Sequence, residues 1–102
     1  MYNGNNGYVN NYVYGNTDRY NMADFDTLQK ARQDLIGEIQ AVIEYDAHIH
    51  STNNRLAQET WNNIKNEELV HVGELLGLID YLDPTQRQYV QKGVAEFMER
   101  TK

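Results

Sequence analysis

The sequence predicts an all-α fold: an antiparallel two-helix hairpin plus a short C-terminal helix, with two hairpins dimerising into a four-helix bundle. Three observations predict it. Apolar residues recur at alternating steps of three and four along two long segments, the period of helices that bury one face. The turn-forming cluster Ser51-Thr52-Asn53-Asn54 joins those segments, and so short a link makes the helices antiparallel. The chain has 102 residues, at most one small domain, and a lone hairpin cannot bury both of its apolar faces.

The elements follow in order. Residues 1–23 form an Asn-, Tyr- and Gly-rich segment without helical period, expected to be a flexible tail; its Tyr and Asn residues would also suit an adhesive arm. Residues 24–102 are the helical half-bundle domain. Asp24, Asp26 and Thr27 are N-cap candidates for a first helix over about Asp26 to His50. A second helix is expected from about Asn54 to Tyr81. Asp83-Pro84 stops it, because proline disfavours helical geometry in the residue before it. Pro84 suits the first position of a third helix, Pro84 to Arg100, which should bury Val90, Val94 and Phe97, with Tyr89 beside them.

Composition narrows the class. A net charge of -6 makes nucleic acid an unsuitable partner. The chain has no cysteine, which removes disulfides, thiolate zinc sites and iron–sulfur clusters together. No apolar run is long enough to span a membrane, and no basic stretch precedes a hydrophobic one as in a signal peptide. A cytoplasmic location is the expectation.

The two apolar seams carry the chemistry. The first reads Leu28, Ala31, Leu35, Glu38, Val42, Tyr45, Ile49; the second reads Ala57, Trp61, Ile64, Glu68, His71, Leu75, Leu78, Leu82. Glu38, Glu68 and His71 stand where core hydrophobes are expected, and buried charge is costly unless paired or metal-bound. With the turn centred between Thr52 and Asn53, equal rise on both arms brings Glu38 level with Glu67 and Glu68, and His71 lies one turn along the same face. Oxygen and nitrogen donors without sulfur suit iron, manganese or zinc. A di-iron carboxylate bundle takes one Glu from each of two helices and Glu-x-x-His from each of the other two. This hairpin supplies one of each, half of that site, so the ligand count asks for a dimer independently of the core.

Other polar residues read more plainly. Tyr45, seven residues from Glu38, serves equally as core or as a hydrogen-bond donor to a ligand. Glu67, one position off the seam, reads as a flanking residue that supports the ligands. Trp61 reads as core. Glu44 and His48, four apart and followed by His50, fit a solvated helix end better than a second metal site.

Leu35-Ile-Gly-Glu38-Ile-Gln-Ala-Val-Ile-Glu-Tyr45, then Asn66-Glu-Glu68-Leu-Val-His71 and Asp83-Pro84, resembles the encapsulated ferritins, two-helix relatives of ferritin and rubrerythrin. The resemblance covers about residues 28–84. It implies a ferritin-like bundle with Glu38, Glu68 and His71 as the catalytic, iron-binding residues of a di-iron centre at a dimer interface. It also implies ferroxidase activity, the oxidation of Fe(II) by oxygen for iron storage or detoxification, with Mn or Zn as substitutes for Fe. Its implied partners are a homodimer, a larger ring-like homo-oligomer and an encapsulin shell, which would place the protein inside an encapsulin nanocompartment. Gly37 and Gln40 stand where that family often has further glutamates; Glu44, Glu67 and Glu74 are the acidic residues nearby. Glu96 to Lys102 lacks the Gly-Ser-Leu type of cargo peptide, so a free cytosolic assembly, or docking through the N-terminal tail, is an alternative to encapsulation. Two other functions compete: a rubrerythrin-like peroxide reductase, for which the chain has no rubredoxin-type cysteines, and a non-enzymatic helical protein that uses metal only for assembly.

Overall fold

The computed structural model describes residues 22–102. It contains three helices, α1 (Met22–His50), α2 (Arg55–Leu82) and α3 (Pro84–Glu99), and no strand among the described residues. The tail expected over residues 1–23 falls almost wholly outside them. α1 begins four residues ahead of the expected Asp26. Alanine is the best helix former, and the carboxylate of Asp24 favours a first helical turn, so nothing local stops the helix at Asp26.

The turn is fixed by side chains. Asn54 caps α2 by accepting a hydrogen bond from the Ala57 backbone N–H at 2.9 Å. The Gln58 amide reaches back to the carbonyls of Ile49 (3.2 Å) and Thr52 (2.7 Å), and the Ser51 hydroxyl donates to the His48 carbonyl at 3.0 Å. The bonds to Ile49 and His48 satisfy carbonyls that the end of α1 leaves without intrahelical partners.

α1 and α2 pack along their length as the predicted antiparallel pair. Leu28, Ala31 and Ile79 form the buried core, with Leu35 and Leu82 packed against it. Every residue of the first seam is buried or half-buried. The second seam departs near its end: Leu78 is 40% exposed while Ile79 is 1% exposed. A step of four from Leu75 to Ile79 keeps the chain facing α1, whereas the expected step of three to Leu78 rotates to the edge.

Asp83 ends one helix and starts the next. Its backbone N–H donates to the Ile79 carbonyl at 2.8 Å, and its carboxylate accepts from the Gln86 N–H at 3.1 Å, with Pro84 opening α3. Arg32 of α1 locks the junction: its guanidinium donates to the Asp83 carboxylate at 3.2 Å and to the Gln86 side chain. Beyond that point α3 leaves the hairpin. Tyr89, Val90, Val94 and Phe97, expected to be buried, are 71%, 49%, 58% and 60% exposed. The sequence shows that α3 is amphipathic, but among the described residues its stripe finds no surface to cover. Among the described residues, fourteen large hydrophobic side chains are exposed while Leu28, Ala31 and Ile79 make up the buried core. Exposed apolar surface on that scale is unusual for a folded monomer.

Candidate metal centre

α1 carries Glu38 to the hairpin interface at the level where α2 presents Glu68 and His71. One ligand atom from each of the three lies within 4.8 Å of the others. The His71 Nδ1–H faces both carboxylates, 2.9 Å from Glu68 Oε1 and 3.3 Å from Glu38 Oε1. The Glu68 contact is the i,i+3 pair on one helix. The Glu38 contact crosses between helices, and it exists because both arms rise equally from the turn. The carboxylate side chains are 28% (Glu38) and 20% (Glu68) exposed, and the imidazole is 51% exposed. The cluster therefore opens from the seam onto one face of the hairpin.

Hydrogen bonds to Glu38 and Glu68, aided by their negative charge, raise the pKa of His71 above its ordinary value of 6.5, against a weaker opposing effect of burial. The two carboxylates thus favour the protonated form of the ring at the point where the three groups converge. Two carboxylates and one imidazole are also a suitable donor set for Fe(II), Mn(II) or Zn(II), and three residues leave positions for water or further ligands.

The other predicted residues do not enter the cluster. Glu67 is exposed and, among the described residues, makes no hydrogen bond or ion pair to it. Tyr45 is half-buried on the seam and meets the edge of His48, ring centroids 6.2 Å apart. His48 in turn packs edge-on against Trp61 at 5.0 Å. His48 is thereby part of an aromatic layer at the turn end of the hairpin, and Glu44 instead accepts from the Gln40 amide at 3.3 Å. The His50 Nδ1–H donates to the Asp46 carbonyl at 2.8 Å. Glu44, His48 and His50 do not come together as ligands.

Two features were missed by the sequence reading. The Arg32–Asp83–Gln86 junction joins residues more than fifty positions apart, and only the position of Arg32 beside seam residue Ala31 hinted at it. A second apolar stripe, Ile36, Ile39 and Ile43, has helical spacing and was legible, but the stronger seam beside it took the assignment.

No family profile matches the chain, and no solved structure matches it. The chain is similar to a curated protein of Myxococcus xanthus (strain DK1622) described as "Encapsulin nanocompartment cargo protein EncC", with 29% identity over 76 residues. The match takes in 74% of this chain and 58% of the relative, so the chain spans little more than half the length of the protein it matches. Among the described residues no helix is long and apolar enough to cross a membrane.

Proposed function

We propose that this chain is a ferritin-like ferroxidase which pairs through the cluster face and oxidises Fe(II) at a di-iron site shared between two copies, as cargo of an encapsulin shell. The observation that carries the reading is the convergence of Glu38, Glu68 and His71, with ligand atoms within 4.8 Å, on the open side of the apolar seam. Support for the shell comes from the cargo protein to which the chain is similar.

Each chain would contribute Glu38 from α1 and the Glu68–His71 pair from α2, and a two-fold axis would double the set to four carboxylates and two imidazoles. Fe(II) is the substrate, and dioxygen takes one electron from each ion oxidised. The protein's part is to place hard oxygen donors that favour Fe(III) over Fe(II) and to leave coordination positions open. His71 must give up its proton to act as a ligand, so iron binding at this nitrogen releases protons. The apolar side chains around the cluster would close over it in the dimer, and the carboxylates would then be shielded from water.

The test is anaerobic loading of the full chain with Fe(II), followed by admission of oxygen, with Fe(III) read by absorbance. Wild type should oxidise Fe(II) and the His71→Ala variant should not. Equal rates in the two proteins would refute the site. Repeating the reaction with hydrogen peroxide separates this activity from peroxide reduction. Co-expression with an encapsulin shell protein, followed by purification of intact shells, tests the cargo assignment by whether the chain is inside.

A further inference from the structure

The hairpin has a second apolar face, turned away from the cluster. With Leu35 pointing into the pair, a turn of about 100° per residue places Glu38 about 60° to one side and Ile39, Ile43 and Ile36 about 40–100° to the other. On α2, with Ile79 pointing inward, His71 falls about 80° toward the Glu38 side, and Leu76 and Leu69 about 60–80° the opposite way. Ile36, Ile39, Ile43, Leu69 and Leu76 are all exposed and form a strip along this back face. Phe25, half-buried near the start of α1, lies on the same side. The strip therefore leads back toward Met22, where residues 1–21 join the helix. Its edges carry both signs of charge. Arg32 and Asp80 lie toward the open end of the hairpin, and the Asp46–Lys65 ion pair, 2.9 Å, lies toward the turn.

Residues 1–21 have the composition that such a surface asks for. They hold Tyr2, Tyr8, Tyr12, Tyr14 and Tyr20 among seven asparagines, and their charged side chains are Asp18 and Arg19, one of each sign. A strongly charged partner of either sign would meet like charge at the edge of the strip. Tyrosine and asparagine avoid that penalty. A tyrosine ring buries apolar area while its hydroxyl donates or accepts, and an asparagine amide does both. The reach also fits. Ile36 and Ile43 lie about 21 and 32 Å along α1 from Met22, and an extended chain covers about 3.3 Å per residue. Tyr14 can therefore lie over Ile36, and Tyr12 and Tyr8 over Ile39 and Ile43. A segment joined to the hairpin also meets it at a high effective concentration, which a separate partner lacks. We propose that residues 8–14 dock along the back face of their own hairpin. The rings of Tyr8, Tyr12 and Tyr14 lie on the isoleucine and leucine strip, and their hydroxyls face the charged edges. The segment shields one apolar face and leaves the cluster face as the side open for pairing.

The chain has no cysteine, so introduced cysteines report the contact cleanly. The full-length Val13→Cys/Ile39→Cys double variant is oxidised at low protein concentration in the presence of EDTA. A disulfide within one chain is the expected main product. Val13→Cys paired with Val70→Cys should give at least tenfold less. Val70 is exposed on the side of α2 turned away from α1, and it lies no farther from the start of α1 than Ile39 does. Changing Tyr8, Tyr12 and Tyr14 to Ser in the first variant should also lower the yield at least tenfold. Equal yields at Ile39 and Val70 overturn the proposal, because the segment would then show no preference for the back face. So does a yield that the serine changes leave intact, or a disulfide formed chiefly between two chains, which would assign the face to a second copy. A spin label on a lone Ile39→Cys gives a second reading: it should broaden the NMR amide signals of residues 8–14, and a label on Val70→Cys should not. Both measurements are made without metal, so their failure is distinct from a failure of Glu38, Glu68 and His71 to bind iron.

Discussion

One hairpin seam is built in two ways. At its open end Leu28, Ala31 and Ile79 meet across α1 and α2 and seal against each other within a single chain. Ten residues further along α1 the same seam carries Glu38, opposed by Glu68 and His71, and that level remains open to solvent. The backbone geometry is the same at both levels. What differs is whether the side chains can complete one another. Apolar groups need only each other, whereas two carboxylates and an imidazole pair with one another and keep donor positions turned to solvent. The apolar level thus stabilises the chain, and the polar level is the one that remains open to a ligand.

The largest effect should come from breaking the sealed level. Leu28→Ala should destabilise the protein by about 2–5 kcal/mol, since a fully buried leucine leaves a cavity that its neighbours cannot fill. Urea denaturation measures this, and the folded fraction should still oxidise Fe(II). Breaking the open level should have the reverse signature. Glu38→Ala, Glu68→Ala and His71→Ala should each lower Fe(II) oxidation by more than about a hundredfold, because losing a ligand exceeds the effect of losing a group that merely orients one. Their denaturation midpoints in EDTA should move far less than that of Leu28→Ala. Glu67→Ala, at an exposed position, should lower oxidation much less. A collapse of stability in the ligand variants, with activity preserved in the folded fraction, would erase the distinction between the two levels.

A smaller effect is expected at the junction beside the sealed level. Asp83→Ala removes the cap of α3 and the Arg32 partner together, and should cost about 1–2 kcal/mol. Circular dichroism during urea titration would follow the loss of α3.

The smallest effect is a pH dependence of the metal-free protein. His71 has a folded-state pKa raised above 6.5 by Glu38 and Glu68. Its pairing therefore contributes fully below pH 6.5 and is lost as pH rises through the raised value. In EDTA, the Tm difference between wild type and His71→Ala should shrink over that interval. Above it the two carboxylates face a neutral ring, and Glu38→Gln should raise the metal-free Tm slightly while weakening metal binding. A wild-type advantage that grows with pH would contradict the assignment of charge to His71.

The hairpin was legible in the sequence because its signals are local and periodic: a repeated apolar step, a capped turn and an Asp-Pro stop. The meeting of Glu38 with Glu68 and His71 was legible for the same reason, since equal rise from a short turn fixes which residues share a level. The start of α1 at Met22 was not, because Asp24 and Asp26 serve as well inside a first turn as before it. Ile79 displaced Leu78 through the local facing of two helices, which a regular count of threes and fours does not contain. The exposure of Val90, Val94 and Phe97 escaped for a deeper reason. Amphipathicity specifies that a face must be covered and is silent on which chain covers it.

The turn has a consequence for how this chain can change length. Surface loops ordinarily accept insertions at little cost. Here Asn54 and Gln58 fix where α2 begins, and the cluster depends on the distance from that point to Glu68. One residue inserted in α2 between Asn54 and Glu68 turns His71 by about 100° and moves it about 1.5 Å along the axis, away from Glu38. Fold stability could absorb such a change by rewinding the helix, but the ligand geometry could not. Only matched changes on both arms preserve the level, and only steps near seven residues preserve the facing as well. Length variation in such hairpins should therefore be quantised in paired heptads between the turn and the cluster, and unrestricted at the two chain ends.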